Sequence, residues 1–366
     1  MRRDPLIIGG GPAGSAAAIT LAAAGYRPVV LERTVGPSDK VCGDFLSDDA
    51  IQRARGVGVD PVALGAVPIH HVRLLHGERV VETALPFPAF GLSRRRLDAA
   101  LLRRAEAAGA VVRTAETVRG LLRENGEWVV RTGSEHVLTA ETVFLATGKH
   151  DLRTLPRARV EHGAIGMKMY FDLAAGPAAL LDGAIELSLF PGGYAGLQHV
   201  EDGQAVLCVA VTRRAFQRLG GGWPLLVAAI GARSRRFAEM LQGARPLLPR
   251  PLAVAGIPYG FQAGPESAEG LFRIGDQAAV IPSLTGDGMA IALHSGRAAA
   301  EMWLLGGDSA AYQLGLGRTL APRMRLAGLL HRAGRSGLVQ AGLVRGASAF
   351  PGVVRWAACR TRLPAA

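Results

Sequence analysis

Three glycines near the start of the chain, Gly9, Gly11 and Gly14, stand in G-x-G-x-x-G spacing, and an acid, Glu32, follows Gly11 by 21 residues. Glycines so spaced let a backbone approach a diphosphate closely, and an acid about 20 residues on is placed to accept ribose hydroxyls. A second group sits far along the chain, where Gly275-Asp276 is followed by Pro282 and then by Gly286-Asp287-Gly288-Met289. Cys42, beside Gly43 in DKVCGDFLS, offers a thiol, a small and tunable acid; Tyr194 and His199 offer further groups able to hold a proton. Together these residue types point to dinucleotide binding next to a proton-handling cavity.

The elements that must position them can be read around each group. Leu6, Ile7 and Ile8 predict a short apolar strand, residues 15–24 an alanine-rich helix, and residues 28–31 a second strand ending at Glu32 and Arg33. Gly9, Gly11, Pro12, Ala13 and Gly14 therefore fall in a turn at a helix N-terminus, where unpaired amides and the helix dipole favour an anion. This is the Rossmann fingerprint in its structural context. Residues 5–26 carry no charge and follow Arg2 and Arg3, yet a Gly-Gly-Gly-Pro block suits strand, turn and helix better than a signal peptide or a membrane span. Residues 92–110 show an apolar stripe of helical period behind a serine cap, and Asn125-Gly126 predicts a two-residue hairpin.

With 366 residues, 49% of them hydrophobic and 20% charged, the chain has room for two domains or for one large core carrying an insertion. The net charge is +12, but all except three of the 42 basic residues are arginines, scattered singly or in short runs with no basic arm. Aromatic residues make up only 5%, so base-stacking surfaces are scarce and no nucleic-acid partner is expected. A basic surface facing an anionic cofactor, an anionic substrate or a membrane fits better. Cys42, Cys208 and Cys359 lie too far apart for a disulfide framework or a structural zinc site, which suits a reducing cytoplasm. No histidine pair has metal-ligand spacing, and no metal is expected.

Residues 271–300, LFRIGDQAAVIPSLTGDGMAIALHSGRAAA, closely resemble the second FAD motif of the flavoprotein superfamily that holds the p-hydroxybenzoate hydroxylases and the geranylgeranyl reductases. The resemblance implies bound FAD, with Asp276 after Gly275 on the ribityl chain. It sets Gly286, Gly288 and Met289 at the flavin's pyrimidine edge, with Pro282 and Asp287 in the same motif. Arg94 is implied near the FAD phosphates. TVFLATGKHDLR, whose strand ends at Gly148, resembles the third motif, altered here to Gly148-Lys149-His150-Asp151 with Arg153 beyond, so the hydroxylases' nicotinamide-positioning role is not carried over. KVCGDFLS resembles the reductase branch, which has a Cys-Gly near the flavin. Cys42 there has three readings: a proton donor, a small apolar wall, or a gate for the loop. Where the geranylgeranyl reductases have Tyr-x-Trp-x-Phe-Pro, this chain has Tyr194-Ala-Gly-Leu-Gln, and the halogenases' Trp-x-Trp-x-Ile-Pro is absent.

The implied fold is α/β: a Rossmann-type FAD-binding domain of the GR2 or p-hydroxybenzoate hydroxylase kind, an inserted antiparallel β-sheet substrate domain, and a C-terminal helical segment. FAD binding falls to residues 1–70, 93–158 and 266–305, the substrate sheet to 71–92 and 159–265, and the helical segment to 306–366. Strand-length runs in 160–212 place Tyr194, Gly196 and Gln198 on one sheet face and Ala195, Leu197 and His199 on the other, with Met167 and Met169 opposite. No second G-x-G-x-x-G has strand and helix context, so reducing equivalents come from transiently bound NAD(P)H or an electron-donor protein. The leading expectation is an FAD-dependent monooxygenase hydroxylating or epoxidising a hydrophobic aromatic, polyketide or isoprenoid substrate with O2. The alternative is a geranylgeranyl-reductase-like enzyme acting on C–C bonds of a lipid or polyketide chain, and the third is an electron carrier with no small substrate. The segment from Leu329 to Arg362 mixes apolar residues with arginines, which suits either a cover for the core or a peripheral membrane contact of a cytoplasmic protein.

Overall fold

Leu6–Ile8 is a fully buried strand at the centre of a five-stranded parallel sheet. The order is Leu271–Arg273, Val143–Leu145, Leu6–Ile8, Val29–Leu31 and Val111–Arg113, so strands far apart in the sequence meet in one sheet. The computed structural model describes residues 3–157, 163–266 and 268–363. The expected boundary between residues 158 and 159 lies outside the described residues.

Helix Pro12–Ala23 is apolar on nearly every side and is buried accordingly, packed against the sheet and against helices Arg94–Ala108 and Gly288–Leu304. A Cβ added at Gly296 of the last helix would fall 2.1 Å from the Ala13 carbonyl oxygen, so the glycine sets how close the two helices come. On the sheet's other face lies an antiparallel meander, Val118–Glu124, Glu127–Thr132 and Val137–Ala140. Asn125 and Gly126 turn its first hairpin with positive φ at both residues, as the dipeptide predicts.

The second sheet follows the order Arg245–Pro246, Ala164–Asp172, Ala205–Thr212, Gly193–His199, Ala184–Phe190, Val67–His76, Arg79–Gly91 and Phe45–Ser47, with Leu252–Ile257 also paired to Ala164–Asp172. It is antiparallel apart from one junction, where Ala184–Phe190 runs parallel to Val67–His76. The strands there come from distant parts of the chain, and no tight turn obliges them to reverse. The structure starts the early hairpin at Val67 and adds Phe45–Ser47 to the same sheet. Short helices Arg213–Arg218, Trp223–Gly231 and Arg235–Met240 cover the outer face, where Ala195, Leu197 and Met169 are buried. The inner face meets the parallel-sheet domain across a cavity, and helices Ser309–Ala333, Gly337–Ala349 and Pro351–Thr361 complete the chain.

Candidate functional site

The glycine turn is built by close packing. Gly9 has φ +107°, and a Cβ there would lie 2.4 Å from the Ala146 carbonyl oxygen; one on Gly14 would lie 1.9 Å from that of Gly9. Helix Pro12–Ala23 starts behind Gly11 with no side chain capping it, which leaves its first amides for an anion. Arg94 supplies the nearby cation: a Cβ on Gly11 would sit 3.6 Å from its Nη2. Its guanidinium donates to both carboxylate oxygens of Asp98, at 2.7 and 2.8 Å, and Asp98 outweighs the burial that disfavours its charge. Glu32 accepts from the Gly10 amide at 2.8 Å and from the Thr34 amide and hydroxyl at 3.1 and 2.8 Å. Burial works against that carboxylate, yet these bonds and Lys40, 4.0 Å away, hold its pKa below the ordinary value.

The second and third motifs are knitted together. Lys149 donates to Asp276 Oδ2 at 3.1 Å, Arg157 donates to the Asp276 carbonyl at 2.7 Å and to Asp151 at 2.6 Å, and the Gln277 amide donates to the Gly148 and His150 carbonyls. Arg153, the arginine the sequence suggests, is exposed; the buried one is Arg157, 5% accessible. Arg33 and His150 contact at 2.9 Å. Burial, Arg33, Lys40 and Lys149 all lower the His150 pKa, which keeps the ring neutral.

The loop carrying Cys42 is held from beneath by a pair missed in the sequence reading. Asp44, at φ +55° and fully buried, accepts from Lys168 Nζ at 2.5 Å and from the Tyr170 hydroxyl at 2.7 Å. Lys168, also fully buried, donates to the Lys40 carbonyl at 3.2 Å, and the Cys208 thiol donates to the Cys42 carbonyl at 2.7 Å. Burial opposes the Lys168 ammonium, but Asp44 raises its pKa above the ordinary value.

The motifs and the Cys42 loop border one cavity of about 1160 Å³. Gly9, Gly11, Pro12, Ala13, Glu32, Arg33, Cys42, Gly43, Arg94, Gly148, Gly275, Asp276, Gly286, Gly288 and Met289 line it, as does Tyr194. Gly14 and Pro282 stand behind the lining. Asp287 is also behind it, buried, with its carboxylate 2.9 Å from Arg362 Nη1; burial pushes its pKa up to about 7, Arg362 opposing. His199 points away, its ring nitrogens 2.9 Å from the Ala178 carbonyl and 3.4 Å from that of Gln204. The strand alternation accounts for this, since Tyr194, Gly196 and Gln198 face the cavity. Met167 lines the cavity, while Met169 packs in the core. Tyr194 donates to Ser283 Oγ at 2.7 Å, and Ser283 shares a second hydrogen bond with Tyr259. Burial raises the Tyr194 pKa well above its ordinary value, so the hydroxyl keeps its proton. Both amide atoms of Gln198 are buried without a hydrogen-bond partner among the described residues.

Arg362 ties the C-terminal helices to this site. Its guanidinium donates to the Thr285 carbonyl, lies over the Phe87 ring at 4.8 Å, and reaches Asp287; the next amide, Leu363 N, donates to Asp49 Oδ2 at 3.1 Å.

A family profile described as an FAD binding domain matches residues 2–143. The chain is 27% identical over 325 residues to a menaquinone reductase of Mycolicibacterium smegmatis, covering 84% of this chain and 77% of that one. It is 26% identical over 326 residues to a digeranylgeranylglycerophospholipid reductase of Methanopyrus kandleri, covering 82% and 77%. Among solved structures, PqsL of Pseudomonas aeruginosa, described as a probable FAD-dependent monooxygenase, superposes with a TM-score of 0.71 at 17% identity, covering 93% of this chain and 98% of that one. Residues 2–143 are therefore an FAD binding domain, in a chain that is similar to these reductases along most of its length and shares the fold of the monooxygenase.

The residues of this flavoprotein fit the cofactor. The uncapped helix start behind Gly11 and the cation of Arg94 suit a diphosphate, and Glu32 and Asp276 would supply acceptors for ribose and ribityl hydroxyls. Helix Gly288–Leu304 also begins without a side-chain cap, so its first amides and dipole can stabilise negative charge on the flavin's pyrimidine ring.

Proposed function

We propose that this flavoprotein is a reductase that saturates a carbon–carbon double bond in the isoprenoid chain of an apolar lipid. The observation that carries the reading is the lining of the cavity. Beside the FAD motifs and Cys42-Gly43 it is walled by Leu74, Leu85 and Leu187 and by Val344 and Phe350 of the C-terminal helices. Walls of that character suit a hydrocarbon chain better than a compact polar substrate. The two sequence relatives named as reductases of menaquinone and of a digeranylgeranyl lipid support it.

Bound FAD, once reduced, supplies two electrons and one proton as hydride to one alkene carbon, and the second proton reaches the other carbon from a protein acid or solvent. Cys42 and Tyr194 are the cavity groups placed to hold that proton; Tyr194 can be resupplied through Ser283 and Tyr259. Reducing equivalents would come from transiently bound NAD(P)H or from a donor protein. Gly196 and the unpartnered Gln198 leave room and a polar anchor for a ring, which favours oxygen transfer to a ring substrate as the second reading.

The test is anaerobic photoreduction of the FAD-loaded protein followed by mixing with a prenylated quinone. Flavin reoxidation without oxygen, with two hydrogens gained by the prenyl chain and kept there after the ring is reoxidised to the quinone, is the expected result. No anaerobic reoxidation, together with a product that has gained one oxygen in air, assigns oxygen transfer instead. Cys42→Ala separates the readings of the thiol: loss of turnover with FAD content unchanged makes it the donor, whereas an active variant makes it packing.

A further inference from the structure

The cavity opens to the outside between the last two helices. Val339, Gly342, Leu343 and Gly346, spaced i, i+3, i+4 and i+7, lie on one face of helix Gly337–Ala349, and all four both line the cavity and are solvent-exposed; Phe350 and Val353 continue this rim. A Cβ on Gly342 or on Gly346 would meet no atom within 4 Å, so the two glycines leave a gap in the wall. Around this mouth the surface is unusually apolar: Leu338 is 88% exposed, Phe350 69% and Trp356 55%. The same segment exposes Arg332, Arg335, Arg345, Arg355 and Arg360, and from residue 309 onward the chain contains no Asp or Glu. Large apolar side chains beside arginines, without acids, are complementary to an anionic lipid surface, into which the apolar groups insert while the guanidiniums meet the headgroups. No helix among the described residues is long and apolar enough to cross a membrane, so the contact is made at the surface.

We propose that the two C-terminal helices dock on anionic bilayers and that the Gly342–Gly346 gap is the portal through which an apolar substrate chain passes from the bilayer into the flavin cavity. The docking stands on the surface alone; the portal rests on the reading of the substrate as an apolar lipid. Docking buries Leu338, Phe350 and Trp356 and brings the mouth to the hydrocarbon boundary, so the chain never crosses water.

The experiment uses the FAD-loaded full chain and vesicles of phosphatidylcholine with or without phosphatidylglycerol. The protein is expected to sediment with the phosphatidylglycerol vesicles and to shift its Trp356 fluorescence to the blue, a shift absent in Trp356→Phe. Leu338→Glu with Phe350→Glu is expected to weaken binding roughly tenfold or more at unchanged FAD content. Wild-type protein that stays in the supernatant, or that elutes as a dimer broken by the same substitutions, overturns the docking; so does full binding by the double variant. Gly342→Leu with Gly346→Leu then tests the portal. This variant is expected to bind vesicles as wild type does but, once photoreduced without oxygen, to lose the flavin reoxidation that a farnesyl-bearing quinone in those vesicles produces. An undiminished change overturns the portal. A wild-type flavin that ignores the quinone while the protein still binds vesicles rejects the substrate reading and the portal, and leaves the docking standing.

Discussion

Cys42 sits where it does because Asp44, two residues on, is clamped by Lys168 and Tyr170. Removing one partner of a fully buried ion pair leaves the other charge uncompensated, so Lys168→Met should cost about 3–5 kcal/mol. Urea unfolding measures it, and an unchanged midpoint would show that the pair does not hold the loop. Asp276→Ala should lower FAD retention after gel filtration, because the ribityl chain loses an acceptor and Lys149 loses its carboxylate; fully yellow variant protein would contradict that assignment. Asp287 makes stability depend on pH. Its folded pKa is raised to about 7, chiefly by burial, so the protonated form is favoured by folding and its contribution is complete below the ordinary value of 3.8. Between that value and about 7 the contribution is lost as pH rises, at up to roughly 1.4 kcal/mol per pH unit, and Asp287→Asn should flatten this slope in thermal melts followed across the window.

At the scale of elements, the cofactor site depends on how closely helix Gly288–Leu304 lies on helix Pro12–Ala23. Gly296→Ala would push a methyl group into the Ala13 carbonyl; a cost of about 1–3 kcal/mol is expected, with FAD released at lower temperature because both helix starts move. A melt of the loaded variant equal to wild type would show that the helices have slack. These helices, their glycine turns and Glu32 were legible in the sequence because local chemistry specifies them: strand, glycines and helix follow one another within a few residues. The Asp44–Lys168 pair was not, since its members are 124 residues apart and only the sheet brings them together. A signal existed all the same. Among 42 basic residues only Lys40, Lys149 and Lys168 are lysines, and all three gather around the flavin cavity. Each serves as a compact charge on a flexible stem, where the planar arginine fork fits poorly. His199 was placed by residue type, but strand alternation governs which way it points.

For the molecule as a whole, two sheets and a pair of terminal helices enclose one cavity, and the helices are both its wall and its apolar exterior. Arg362 and Leu363 bind the wall to Asp287, Thr285 and Asp49. On a ribosome these contacts wait until residues 362 and 363 have emerged. Strand Leu6–Ile8 waits for Val143–Leu145 and then for Leu271–Arg273, and the flavin-facing helix start waits for residue 362 before its acid finds a partner. Tight cofactor capture therefore waits for residue 362: chains truncated before it should emerge pale, whereas chains that include it should be yellow.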